Sequence, residues 1–167
     1  MMYLRRIFYA ATLLNATMLT PQLAPVARAQ APRVVRTQST PVAPAPSDAI
    51  IVAALKSRGL VTAGWMTPVR HTGDFDGDGQ PDVALLVAHV TSKKRGILIL
   101  HAGRTTTALV GAGVNFGNGG DDFEWANRWV VMKRKGKPDA LLIEREEAGG
   151  GLVEFVAGKY RWRQQGD

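Results

Sequence analysis

The sequence predicts an α+β fold that is mostly β, a twisted antiparallel meander with one N-terminal amphipathic helix and an Asp-rich loop. Three observations predict it. Short apolar and β-branched runs recur between Gly-containing turns from residue 83 to the C-terminal end. One stretch with helical spacing precedes them. Between the two, Asp74–Asp82 places four acids in nine residues.

Ser47 follows Pro46 and suits a helix N-cap, with Asp48 in the first turn where the helix dipole favours an acid. Ile50, Ile51, Ala54 and Leu55 then recur on one face, and Gly59 suits a left-handed terminating residue. Val83 to Val90 and Gly96 to Ala102 are apolar at successive positions, as strands covered on both faces should be. Thr91 to Arg95 makes the polar turn between them. Thr105 to Val110, Trp129 to Lys133, Ala140 to Arg145, Leu152 to Val156 and Lys159 to Arg163 read as further strands. Closely spaced strands favour antiparallel neighbours. The stretch Gly111 to Asn127 holds five Gly and reads as a long loop.

Residues 1–29 read as an export signal. Arg5 and Arg6 precede an apolar stretch, and Ala27-Arg28-Ala29 has the small-residue spacing of a cleavage site. The expected location is periplasmic or secreted, with no transmembrane segment in the mature chain. An uncleaved anchor and twin-arginine export are the alternatives. Residues 30–46, with four Pro among Ser, Thr, Gln and small residues, form an extended linker. Residues 47–167 form one domain. The 167-residue chain has 21 basic and 14 acidic residues; without the three arginines of the first 29 residues its formal charge falls from +7 to +4. Such a balance, with no nucleic-acid motif beside it, points away from nucleic acid. With no Cys, disulfides and a lipidated cysteine are excluded.

The chemistry is concentrated in Gly73-Asp74-Phe75-Asp76-Gly77-Asp78-Gly79-Gln80-Pro81-Asp82. Carboxylates stand at loop positions one, three, five and nine, with Gly at six to permit a sharp bend. Ca2+ takes six to eight oxygens at flexible distances, and alternate residues of a tight loop can aim carboxylates at one centre. The residue at seven, Gln80, offers a backbone carbonyl. Without a cation, the six like-charge pairs each cost up to roughly 1 kcal/mol at about 4 Å in water-like surroundings. The expected metal ligands are therefore Asp74, Asp76, Asp78, Gln80 and Asp82, and the expected ion is Ca2+.

From Thr72 to Leu86 the segment resembles the FG-GAP/VCBS-type repeat, in which a Gly-Asp-Phe-(Asn/Asp)-Gly-Asp-Gly-x-x-Asp loop runs into a hydrophobic strand. The resemblance implies Asp74, Asp76, Asp78 and Asp82 as side-chain ligands and Gln80 as the carbonyl ligand. It covers about fifteen residues, and Leu85 stands where an EF-hand has its last acid. Gly136-Lys137-Pro138-Asp139 echoes the end of the loop, either as a degenerate second copy or as an ordinary β-turn. In that alignment Lys133 and Lys135 fall on Asp76 and Asp78, so no metal is expected there.

Asp121, Asp122 and Glu124 lack coordination spacing and read as a solvated loop. His71, His89 and His101 have no paired ligand spacing and read as ordinary strand or loop residues. Trp65, Trp125, Trp129 and Trp162 suit the core first and a ligand platform second. No nucleophile, base and orienting acid form a recognisable set. The expected function is a calcium-stabilised binding or interaction module of the cell envelope, with an envelope protein or glycan as partner. A calcium-assisted hydrolase and a purely structural envelope protein are the alternatives.

Overall fold

A computed structural model describes residues 41–166, so the export signal and the first part of the linker lie outside the described residues. Helix α1 spans Asp48–Ser57. Strands follow in the order β1 (Leu60–Thr62), β2 (Arg70–Gly73), β3 (Asp82–His89), β4 (Arg95–Leu100), β5 (Thr107–Gly111), β6 (Arg128–Met132), β7 (Ala140–Arg145), β8 (Gly149–Val156) and β9 (Lys159–Gln165). Every pairing is antiparallel. One sheet runs β1-β3-β4-β5, with β2 also paired to β3, and the other runs β6-β7-β8-β9. The mostly-β meander with a single helix is thus present, as two unclosed sheets.

The apolar run of β3 and β4 has a direct consequence. Ala84, Leu86, Ile97 and Ile99 face the second sheet and pack with Trp129, Leu141, Ile143 and Val153. Their alternate neighbours Val83, Leu85, Val87, Leu98 and Leu100 face the helix and pack on Ile51 and Leu60. The order is therefore helix, sheet, sheet, with the first sheet dry on both faces. On α1 only Ile51 is buried, while Ile50 points to solvent. A ten-residue helix laid on a twisted sheet buries a narrow stripe, and Ile50 falls outside it. Upstream of the helix, Pro46 is buried and Ala45 packs on the same cluster.

Two strands carry no apolar pattern. Both β1 and β2 lie on the same side of β3, with Leu60 to Thr62 opposite His89 to Val87 and Arg70 to Gly73 opposite Leu85 to Asp82. As edge strands they need bury only one residue each. Strand β8 begins earlier than its apolar residues suggest, at Gly149. Its glycines make room for an aromatic ring, since a Cβ on Gly151 would stand 2.2 Å from the Trp162 indole.

The two sheets repeat one plan: β2-loop-β3-β4-β5 and β6-loop-β7-β8-β9 are both four-stranded meanders with the special loop after the first strand. These equivalent loops touch. The Asp139 amide donates to the Asp74 carbonyl at 2.7 Å, and the Asp74 amide donates to Asp139 Oδ2 at 2.8 Å.

On the outer face of the second sheet Glu154 is buried and accepts from Arg163 twice, each at 3.0 Å, while Arg134 also pairs with it. Arg163 in particular holds its carboxyl below the ordinary value. Its contribution is therefore present above the ordinary carboxylate range and lost as pH falls through the depressed value. Glu154→Gln should cost about 1–3 kcal/mol at pH 7. Urea unfolding of both proteins should show that gap narrowing once the pH drops below the ordinary range of glutamate.

Candidate metal centre

The loop between β2 and β3 folds because its acids satisfy its own backbone. Asp74 accepts from the Gly77 amide at 2.8 Å and the Gly79 amide at 3.0 Å. Asp76 accepts from the Asp78 amide at 3.2 Å, and Asp78 from the Gln80 amide at 2.8 Å. Gly77 takes φ +82°, and a Cβ there would also stand 2.7 Å from Pro138 Cγ of the facing loop. Left-handed geometry and close approach both demand glycine at this position.

Two groups of ligand atoms converge. Asp74, Asp76 and Asp78 each place a carboxylate oxygen within 4.8 Å of the others'. Asp76, Asp82 and His101 do the same deeper inside, and all three side chains are buried. Together they form a buried Asp/His cluster able to coordinate a divalent cation. Asp76 belongs to both groups. Gln80 lies beside them, with its side-chain oxygen accepting from the Ala43 amide.

Asp82 sits in the inner group and not among the outer three. Its side chain is 0% exposed; Oδ2 accepts from the Phe75 amide and Oδ1 from the Ala102 amide, both at 2.9 Å. One carboxylate thereby joins the loop, the start of β3 and the turn after β4. His101 Nδ1 lies 3.2 Å from Asp82 Oδ2 and 3.4 Å from Asp76 Oδ2. Its ring stacks on Tyr160 with centroids 5.9 Å apart, and Tyr160 Oη lies 3.5 Å from His101 Nε2. Arg104 forks across the cluster, with Nη1 2.8 Å from Asp76 Oδ2 and Nη2 3.0 Å from Asp78 Oδ2.

The electrostatics follow from this crowding. Burial, and then the Asp82 charge, push the Asp76 carboxyl up. The Asp82 carboxylate raises the His101 imidazole against the opposing effect of burial. Burial raises the Tyr160 phenol, and the carboxylates of Asp82, Asp76 and Asp74 add to it. A divalent cation would relieve the carboxylate repulsion directly. His101 Nδ1 is buried with no aligned hydrogen bond, and Asp76 Oδ2 has the Arg104 ion pair alone, which fits a place for such an ion.

The second loop differs. Lys133 places its ammonium on the Asp139 carboxylate, supplying within the chain the positive charge that the first loop lacks at the matching position. Asp121 pairs with Lys94, and Asp122 Oδ1 accepts from the Arg95 amide at 2.9 Å and the Glu124 amide at 3.0 Å. Those acids hold the long loop, and among the described residues they join neither ligand group. Trp129 is buried and donates from Nε1 to the Pro68 carbonyl at 2.7 Å, a core role. His89 accepts from the Thr91 and Ser92 amides, each at 3.3 Å, and so shapes the turn after β3. His101 and Arg104 are the site residues that spacing does not reveal. Their only trace in the sequence is a pair of polar side chains closing an apolar strand.

Compared with protein families, with curated proteins and with solved structures, the chain matches none.

Replacing Asp82 with Ala orphans two buried amides at once, each costing about 1–3 kcal/mol. Asp82→Ala should therefore lose about 2–5 kcal/mol in chemical denaturation even with chelator present. A loss seen only when metal is supplied would mean that Asp82 acts as a ligand alone.

Proposed function

We propose that this chain is an exported calcium-binding β-domain of the cell envelope, a binding or interaction module whose fold the ion stabilises. The convergence of the Asp74, Asp76 and Asp78 carboxylates carries the reading. Their all-oxygen character is what Ca2+ prefers, and the Gln80 carbonyl and the Asp82 carboxylate would complete the set that the FG-GAP/VCBS resemblance implies. When bound, the ion supplies the positive charge that three crowded carboxylates lack.

The residues of this chain turn that charge into stability. Asp74 wraps the loop through Gly77 and Gly79, and its own backbone pairs with Asp139 of the second sheet. Fastening the first loop therefore fastens the junction between the two sheets. A rigid β scaffold of this kind suits recognition. Half-buried Trp125 and Trp162, with Asn118, Arg145 and Gln164, line a surface hollow of about 280 Å³ whose mix of aromatic and polar side chains would suit a glycan. None of the described helices is long and apolar enough to cross a membrane.

A ligand that binds only the folded state stabilises it by about 2.7 kcal/mol at a hundredfold excess over its dissociation constant. Ca2+ should thus raise the melting temperature by several degrees over the chelated protein. Asp78→Asn, at the exposed rim, should remove most of that rise while leaving the chelated protein as stable as before. Identical melting curves with Ca2+ and with chelator would refute the reading. For export, mass spectrometry of protein from its native host should find a chain beginning at Gln30, and intact Met1 on all of the recovered protein would contradict it.

A further inference from the structure

We propose that Asp76, Asp82 and His101 form a second metal position, which shares Asp76 and Asp82 with the implied oxygen set of the loop but adds an imidazole nitrogen, and which takes a borderline divalent cation such as Zn2+. The proposal does not depend on calcium in the loop.

His101 Nδ1 lies 3.2 and 3.4 Å from Asp82 Oδ2 and Asp76 Oδ2. A charged N–H···O pair normally closes to about 2.7–2.9 Å. These separations are longer, and neither contact is aligned as a hydrogen bond: Nδ1 is buried without one, while Asp76 Oδ2 is met by the Arg104 guanidinium at 2.8 Å. A tetrahedral ion with bonds of about 2.0–2.1 Å holds its ligands about 3.3 Å apart. The two edges from Nδ1 are therefore spaced as such a site requires, and the carboxylate oxygens of the group lie within 4.8 Å of one another.

Surrounding groups orient the ligands in the same sense. Nε2 of His101 faces the Tyr160 hydroxyl at 3.5 Å, and in the tautomer that carries its proton on Nε2 the Nδ1 lone pair points at the carboxylates. A cation among the three atoms takes that lone pair, in the place that a proton on Nδ1 otherwise holds beside Asp82. The Asp82 oxygens are each fixed by a backbone amide at 2.9 Å, which is how ligating carboxylates are commonly held. Exposures of 1% for Asp76, 0% for Asp82 and 7% for His101 remove competing water.

The chemistry of the donors selects the ion. An imidazole nitrogen with two carboxylates suits zinc and its neighbours, whereas Ca2+ is bound by oxygens in larger number. Two carboxylates against one divalent ion leave the buried cluster neutral. Arg104 is 48% exposed and contacts both Asp76 and Asp78, so it can release Asp76 and keep Asp78 when the ion enters.

Zn2+ alone, titrated by calorimetry into the untagged full chain, should bind at one equivalent. His101→Gln should weaken that binding by more than the about 10–100-fold that loss of an outer-shell partner costs. In the same variant the Ca2+ response should be unchanged, and Asp78→Asn should do the converse. Should His101→Gln fail to fold, imidazole 15N spectra of the unsubstituted chain decide the matter. At zinc saturation His101 Nδ1 should shift as a metal-bound nitrogen while Nε2 stays protonated, His71→Gln and His89→Gln serving to assign the signal. Equal zinc affinity in the unsubstituted chain and His101→Gln, an unmoved Nδ1 resonance, or no binding at millimolar Zn2+ would overturn the proposal. Zinc binding without calcium binding would refute the calcium reading and leave this one standing.

Discussion

The Asp82 carboxylate is the tie on which the site and much of the first sheet depend. Fully buried, it accepts from the Phe75 amide on one side and the Ala102 amide on the other. Those two amides belong to segments far apart in sequence, and neither has a strand partner to pair with. A charge in that position is tolerable because backbone donors and a neighbouring imidazole replace the water it has lost. Once Asp82 is so placed, Phe75 lies in the core between the sheets, Asp76 is drawn inward beside His101, and the turn after β4 stands over the loop.

A second constraint acts between the sheets. Their shared plan brings two equivalent loops together, and Asp74 pairs through its backbone amide and carbonyl with the Asp139 carboxylate and amide. The loops nonetheless solve the same electrostatic problem differently. In the second, Lys133 neutralises Asp139 from within the chain. In the first, Arg104 is one guanidinium against Asp74, Asp76, Asp78 and Asp82, and its two contacts are with Asp76 and Asp78. The acid excess that remains is what an ion can relieve, and among the described residues the candidate ligand groups lie at the first loop.

Burial on both faces of the first sheet determines how much chemistry the domain can carry. Helix α1 covers one side and the second sheet the other, so β3 and β4 are spent on packing. Polar function is left to the strand ends, where Asp82 opens β3 and His101 follows β4. The aromatic residues divide in the same way. Trp129 and Phe123 are buried, while Trp125 and Trp162 pack edge to face with centroids 6.0 Å apart beside a surface hollow.

Several features were legible in the sequence because they are local. The spacing of Asp74, Asp76 and Asp78 and the glycine at 77 specify a tight loop with convergent carboxylates whatever surrounds it. The apolar runs of β3 and β4 announce strands covered twice, and the fold class follows from them. Strands β1 and β2 were not legible, because an edge strand buries too little to need a pattern. The inner cluster was hidden for a different reason. Asp82 and His101 are nineteen positions apart and meet only because Val83 pairs with Leu100, which puts them one step beyond the end of that ladder. A slip of one residue in that register would send His101 to the opposite face. The sequence by itself thus determined the outer loop and the class of fold. Tertiary structure alone decided that Asp82 turns inward, that His101 and Arg104 join Asp76, and that the two loops interlock, since non-local register and packing place those atoms.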